Sequence, residues 1–163
     1  MSSLSNIRPY NTLRSTRNKG QENREINPTA SPEKKYHFND PLEKVSVVRE
    51  GIDYGVIEYL GKRINRPVKF MLGILDLPQT TYNKKKSENA LLNSRDTELI
   101  LSIHETIDLG MHVFNQETDK FLRWLQKPNP SLGGNAPESF LDTISGILEI
   151  KNVLYRLEHG NLA

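Results

Sequence analysis

The hydrophobic positions of this chain recur at helical spacing from residue 40 onward. A first helix begins with Asp40 as its cap and Pro41 in its first turn, and it ends at Gly51. A second helix begins at Asp53. The predicted inner faces of these helices consist of Leu42, Val45 and Val48 in the first and of Val56, Ile57, Leu60 and Ile64 in the second.

A third short helix begins at Pro67, and a polar, basic segment, QTTYNKKKSEN, follows it after a tight turn. The inner face of the third helix is predicted to consist of Val68, Met71, Leu72 and Leu75. A short apolar helix followed by a polar, basic one is typical of helix-turn-helix domains, whose second helix enters the major groove. Amide and hydroxyl side chains can hydrogen-bond base edges or phosphates, and lysines neutralise phosphate charge. The candidate DNA-binding residues are Gln79, Thr80, Thr81, Asn83, Lys84, Lys85 and Lys86. A solvated helical face is the competing interpretation.

The longest predicted helix begins at the cap residue Asn93 and runs to Phe114. Its apolar stripe, which indicates a core or a dimer interface, consists of Leu99, Ile100, Ile103, Ile107, Met111 and Phe114. His104 and His112 lie on this helix, too far apart and with too few neighbouring ligands for a metal site, so we expect ordinary histidines.

The last third of the chain contains three further helical segments. A helix through Phe121, Leu122 and Trp124 ends at Lys127, before the rigid turn of residues 128–130. A small loop then leads to a short helix that starts at Pro137 and runs to about Leu141. Thr143 caps the final helix, which ends at Gly160. Its predicted inner face consists of Ile147, Ile150, Leu154 and Leu157.

Residues 1–39 differ from the rest, because they are rich in Ser, Asn, Thr and basic residues and carry apolar side chains without a period. Such a segment cannot bury enough surface to offset the entropy of ordering it, so we expect a flexible basic arm. Its positive charges could follow phosphates or simply maintain solubility, and the second explanation is favoured.

The composition limits the possible classes of protein. With 163 residues, 36% hydrophobic and 26% charged, the chain can bury one core or two small ones. The absence of cysteine excludes disulfides, thiolate catalysis and cysteine zinc sites. No apolar run is long enough to span a bilayer and the start is polar, so we expect a cytoplasmic protein without a membrane partner. The net charge of +2 alone does not identify a nucleic-acid binder.

Catalytic motifs are absent from the sequence as well. It contains no nucleophile elbow, no phosphate-binding glycine loop and no cluster of histidines and acids at ligand spacing. The single glycine pair, in SLGGN, is better explained as a tight connection than as a phosphate cradle. We therefore predict no enzymatic activity, no catalytic residue, no metal and no cofactor.

The segment FLRWLQKPNPSLGGNAPESFLDTISGILEIKNVLYRLEHGNLA closely resembles the toxin-binding domain of the Xre/MbcA/ParS antitoxins. That family's pattern is a tryptophan-leucine helix, a Pro-Asn-Pro-x-Leu-Gly loop, a proline-started helix and a closing Arg-Ile/Leu-Glu-His-Gly. The residues that match are Trp124, Leu125, Asn129, Pro130, Leu132, Gly133, Pro137, Leu141, Thr143, Gly146, Val153, Arg156, Glu158, His159 and Gly160. Residues from about 40 to 114 are similar, more loosely, to the family's Xre-like helix-turn-helix domain.

The resemblance implies an all-α protein with a flexible arm (1–39), a helix-turn-helix DNA-binding domain (40–114) and a small helical toxin-binding domain (115–163). It implies a homodimeric type II antitoxin that neutralises a RES-domain toxin, a NAD-consuming protein related to ADP-ribosyltransferases, and that represses its own operon at promoter DNA. Carried over by position, the candidate toxin-facing residues are Asn129, Pro130, Leu132, Gly133, Arg156, Glu158, His159, Gly160, Asn161, Leu162 and Ala163. For Arg156, Glu158 and His159 the alternative is a local network that holds the final helix against the Pro-Asn-Pro loop.

The second short helix departs from the family pattern. Family members commonly have an arginine before the threonine and an arginine pair after it, where this chain has Thr80 and the lysines at 84–86. Lysine lacks the planar fork that recognises guanine, so affinity for DNA is better supported than sequence-specific recognition. Two other functions remain open: a stand-alone helix-turn-helix regulator without a toxin partner, and a small helical enzyme.

Overall fold

The computed structural model describes Tyr36, Phe38 and residues 40–160. Its α-helices are α1 (Pro41–Glu50), α2 (Gly55–Arg63), α3 (Val68–Ile74), α4 (Gln79–Ser87), α5 (Ser94–Val113), α6 (Thr118–Gln126) and α7 (Ile144–Glu158). Two 3-10 helices, Pro130–Leu132 and Pro137–Phe140, connect α6 to α7. This part of the chain has isolated β-bridges but no strand, which confirms the predicted all-α fold.

Side-chain caps start α1, α5 and α7 where the sequence predicts them, whereas the predicted cap Asp53 lies two residues before α2, whose cap residue Tyr54 makes no side-chain cap hydrogen bond. The Asp40 carboxylate accepts from the amide of Leu42 at 2.9 Å, and the Asn93 side chain accepts from the amide of Asp96 at 2.9 Å. The Thr143 hydroxyl accepts from the amide of Gly146 at 3.1 Å at the start of α7. These bonds satisfy amide groups that have no partner within the helix.

Most of the predicted inner faces are buried, including Val56, Ile57, Leu60 and Ile64 in α2. Helix α1 is the exception, because Leu42 is 73% exposed and Val45 is 42% exposed. This helix packs on the core through Val47 and Val48, and its Lys44 forms an ion pair with Glu105 of α5. The prediction that Leu42 and Val45 face inward is therefore wrong, since these contacts turn them to the surface.

Tyr36 departs from the predicted arm of residues 1–39. Its side chain is buried, its hydroxyl donates to the Asp53 carboxylate at 3.1 Å, and its ring meets His104 edge-on with 6.0 Å between centroids. An isolated aromatic side chain outside any periodic segment is thus part of the core. The rest of the predicted arm, apart from Phe38, lies outside the described residues.

Helix α5 is the central element, and α1, α2, α6 and α7 all pack against it. One hydrophobic cluster includes residues from both sides of the predicted boundary between residues 114 and 115. The Glu105 carboxylate of α5 forms ion pairs with Lys44 of α1 and with Lys151 of α7. The distance to the Lys151 nitrogen is 2.9 Å. The division into a DNA-binding and a toxin-binding part remains a prediction about function, because the two parts share one core.

The two histidines of α5 have different surroundings. His104 is 1% exposed, and its Nδ1 lies 3.1 Å from the Asp108 carboxylate, which also pairs with Arg63 at 2.7 Å. His112 is exposed at the end of the helix. The described residues contain no group of side chains that could hold a metal ion. None of the described helices is both long and apolar enough to cross a membrane.

Candidate functional site

Helix α4 carries the candidate DNA-binding residues, which are exposed around most of its circumference. Tyr82 anchors the helix, since it is 4% exposed and its ring lies 6.3 Å from that of Tyr54. The residues around it are all exposed, and we call them the α4 surface: Gln79, Thr80, Thr81, Asn83, Lys84, Lys85 and Lys86. The structure places these exposed side chains on one helix, and their binding of DNA remains a prediction.

The three lysines of the α4 surface differ in their surroundings. Lys86 donates to Glu58 of α2 at 2.7 Å, and Lys62 reaches the same carboxylate at 2.8 Å. Hydrogen bonds from Lys62 and Lys86 lower the pKa of Glu58 to about 2. No salt bridge of the described residues involves Lys84 or Lys85. These two lysines therefore keep their charge available for an anionic partner.

The Pro-Asn-Pro loop is built around the Asn129 side chain. Asn129 is 7% exposed, its Oδ1 accepts from the amide of Ser131 at 2.9 Å, and its main chain pairs with Asn135. Gly133 ends the 3-10 helix with a left-handed φ of 64°, and Leu132 points into the interior. Of the predicted toxin-facing residues in this loop, Asn129 and Leu132 are buried, while Pro130 and Gly133 are exposed.

An ion pair between Arg66 and Glu138 connects the second 3-10 helix to the segment between α2 and α3. Glu138 accepts from both Nε and a terminal nitrogen of Arg66, with 2.9 Å for the Nε contact. Bidentate arginine–carboxylate pairs restrict geometry as well as adding energy. The loop that precedes α7 is thus held against the segment between α2 and α3.

The end of α7 carries the other predicted toxin-facing side chains. Glu158 lies 3.3 Å from Nε2 of His112 on α5, and His159 contacts the carbonyl of Tyr155 at 2.7 Å in its own helix. Arg156 is exposed, and Gly160 has the left-handed φ of 68° that the sequence predicts. None of these contacts reaches the Pro-Asn-Pro loop, so the described residues do not show the alternative local network. Asn161, Leu162 and Ala163 lie outside the described residues.

An open groove of about 360 Å³ lies between the end of α6, the Pro-Asn-Pro loop and the end of α7. We call it the Trp124 groove; its lining residues are Arg123, Trp124, Lys127, Pro128, Asn129, Pro130 and Leu157. Asn129 and Pro130 belong to the predicted toxin-facing set, whereas the other five lining residues do not: Arg123, Trp124, Lys127, Pro128 and Leu157. The sequence contains one indication of these residues, because Arg123 and Lys127 are one helical turn apart and lie beside a tryptophan.

Comparisons with known proteins show what the carboxy-terminal segment and the chain as a whole are similar to. Residues 109–160, which cover the end of α5, α6, the loop and α7, match the family described as the antitoxin Xre/MbcA/ParS C-terminal toxin-binding domain. The chain is 26% identical over 115 residues to "Antitoxin Xre" of Photorhabdus laumondii, covering 71% of this chain and 78% of that protein. It is 27% identical over 131 residues to "Prs ADP-ribosylating antitoxin" of a Sphingobium strain, covering 76% and 82%. It is 24% identical over 116 residues to "Antitoxin Xre" of Yersinia enterocolitica, covering 71% and 78%.

The matched segment and the named relatives make this chain similar to the antitoxins of toxin–antitoxin systems, and they point to a non-enzymatic regulatory protein. Its carboxy-terminal segment is similar to the toxin-binding domain of the Xre/MbcA/ParS type.

Proposed function

We propose that this antitoxin binds and neutralises a RES-domain toxin of the NAD-consuming, ADP-ribosyltransferase-like kind. The observation that carries the proposal is the match of residues 109–160 to a toxin-binding domain. The exposed end of α7, the exposed part of the Pro-Asn-Pro loop and the Trp124 groove all belong to that segment. The Sphingobium relative, whose name couples an antitoxin with ADP-ribosylation, supports a toxin of this chemistry.

The same protein, acting in the cytoplasm as a homodimer, represses its operon by binding promoter DNA with the α4 surface. This part is supported by the exposure of the α4 side chains around a buried anchor and by the two lysines that form no salt bridge within the described residues. A dimer would present two α4 helices to two half-sites, which is the usual way that helix-turn-helix proteins recognise an operator.

Co-expression with the product of an adjacent RES-domain gene tests the toxin half of the proposal. We expect the toxin alone to stop growth, and the two proteins together to permit growth and to purify as a complex. An active toxin that this chain neither binds nor neutralises would contradict the proposal. Binding of the promoter fragment without any toxin partner would favour the stand-alone regulator.

A further inference from the structure

The Trp124 groove combines apolar walls with a cationic edge. Trp124, Pro128, Pro130 and Leu157 supply the apolar surface, and Arg123 and Lys127 supply the charge. None of the described residues that line it is acidic. Two other grooves differ in this respect: Asp76 lines one at the turn between α3 and α4, and Asp119 lines one beside Asn65 that shares Arg123 with the Trp124 groove.

Neither cation of the groove is neutralised within the described part of the chain. No salt bridge there involves Arg123 or Lys127. Among the described residues, Arg123 forms one side-chain hydrogen bond, from its Nε to the carbonyl of Asp119 at 3.3 Å. The nearby Lys120 differs, because it pairs with Glu117 at 2.7 Å. The groove therefore presents uncompensated positive charge beside an aromatic ring.

The walls of the groove are held in place before any partner binds. The Trp124 ring packs against Phe114 and Phe121, with centroids 5.8 Å and 6.2 Å away, and Phe121 is fully buried. Asn129 fixes the opposite wall through its bond to Ser131. A preformed surface of this kind loses little conformational freedom when a partner binds.

We propose that the Trp124 groove holds a segment of the toxin in which a large apolar side chain stands beside one or more carboxylates. The inference rests on the proposed function, and it adds the chemistry of the toxin segment. The apolar side chain packs on Trp124 and the prolines, and the carboxylates pair with Arg123 and Lys127. A protein partner fits better than a nucleic acid, because the groove lies within the matched toxin-binding segment and has an apolar floor.

A pair of charge reversals tests this assignment. The variant R123E/K127E changes the groove, and K84E/K85E makes the same change of net charge on the α4 surface. We measure the affinity of each variant for the RES-domain protein of the adjacent gene and for a promoter fragment, after confirming unchanged helix content and melting temperature. We expect R123E/K127E to weaken toxin binding at least tenfold and to leave DNA binding within twofold. We expect K84E/K85E to show the opposite pattern.

The outcomes separate the two proposals. If the unmodified chain does not bind the RES-domain protein, the proposed function fails before the groove is tested. If it binds and R123E/K127E binds equally well, the groove assignment is overturned. Loss of DNA binding in R123E/K127E, with toxin binding retained, would assign the groove to nucleic acid and would also overturn it. Should the reversals lower the melting temperature, R123Q/K127Q provides the same comparison with a smaller perturbation.

Discussion

Gly110 allows α5 and α6 to approach closely enough to bury an aromatic ring. A Cβ atom at position 110 would lie 2.1 Å from the ring of Phe121, which is fully buried. The same ring packs against Phe114 and Trp124, so the contact continues to the wall of the Trp124 groove. A methyl group here would displace side chains that shape the candidate toxin-binding surface.

We predict that Gly110→Ala destabilises the protein by about 1–3 kcal/mol, the usual cost of overpacking a core. The matched control is Gly73→Ala in α3, where an added Cβ meets nothing within 4 Å. Since alanine favours helix more than glycine does, the control should be neutral or more stable by up to about 1 kcal/mol. Urea unfolding of both variants measures the difference, and equal stabilities would show that the close approach is unimportant.

Helices α1, α5 and α7 are tied together by a single carboxylate. Burial tends to raise the pKa of Glu105, but hydrogen bonds from Lys151 and Lys44 outweigh it and leave the pKa below its ordinary value of 4.5. A pKa lowered by folding means that ionised Glu105 stabilises the folded state. This stabilisation is complete above the ordinary pKa and is lost as the pH falls through the lower value in the folded protein.

We therefore expect Glu105→Gln to lower the melting temperature at pH 7, and we expect this deficit to shrink as the pH falls below 4.5. The two proteins become more alike on acidification, because protonation of Glu105 removes the charge that the substitution removes. Glu98→Gln is a control on the exposed side of the same helix, outside every salt bridge of the described residues. A deficit for Glu105→Gln that stays constant from pH 7 to pH 3 would contradict the charge argument.

The lysines of α4 are predicted to contribute unequally to DNA binding. Affinity falls as the salt concentration rises. Removing Lys84 and Lys85 should make the plot of log affinity against log salt less steep, by about 0.9 for each phosphate that is no longer neutralised. Lys86→Ala should have a smaller effect, since Lys86 already pairs with Glu58. Fluorescence anisotropy with a promoter fragment at several salt concentrations measures these slopes. Equal slopes for all lysine variants would indicate that the Glu58 pair does not restrain Lys86.

The order of the helices could largely be predicted from the sequence, because helix caps and the spacing of apolar residues are local features. Asp40, Asn93 and Thr143 cap helices as predicted, and Gly160 has the expected left-handed conformation. The contacts between segments that are distant in the sequence could not be predicted in this way. Periodicity placed Leu42 and Val45 inside, but it cannot show that α1 packs through Val47 and Val48.

The candidate site was predicted in part, for the same reason. A sequence motif names residues but does not separate those that support a loop from those that face a partner. Asn129 and Leu132 are buried within the loop, whereas Pro130 and Gly133 are exposed. The Trp124 groove was missed because its lining comes from α6, the loop and α7, which only the folded chain brings together.

The described part of the molecule places both candidate surfaces on one shared core. Glu105 connects α1 to α7 through α5, and Arg66 with Glu138 connects the segment before α3 to the 3-10 helix before α7. A substitution in the core should therefore affect both surfaces. A change confined to one exposed surface should affect one activity only, and this separation distinguishes a binding residue from a structural one.

The central claim is that the carboxy-terminal surface binds the toxin while DNA binding resides elsewhere. The most direct measurement compares the affinity of the RES-domain protein for the full chain and for a chain that ends at Gly160, with promoter binding measured in parallel. We predict at least tenfold weaker toxin binding after removal of Asn161, Leu162 and Ala163, with unchanged DNA binding. Equal toxin affinity in the two forms, or a parallel loss of both activities, would contradict the account.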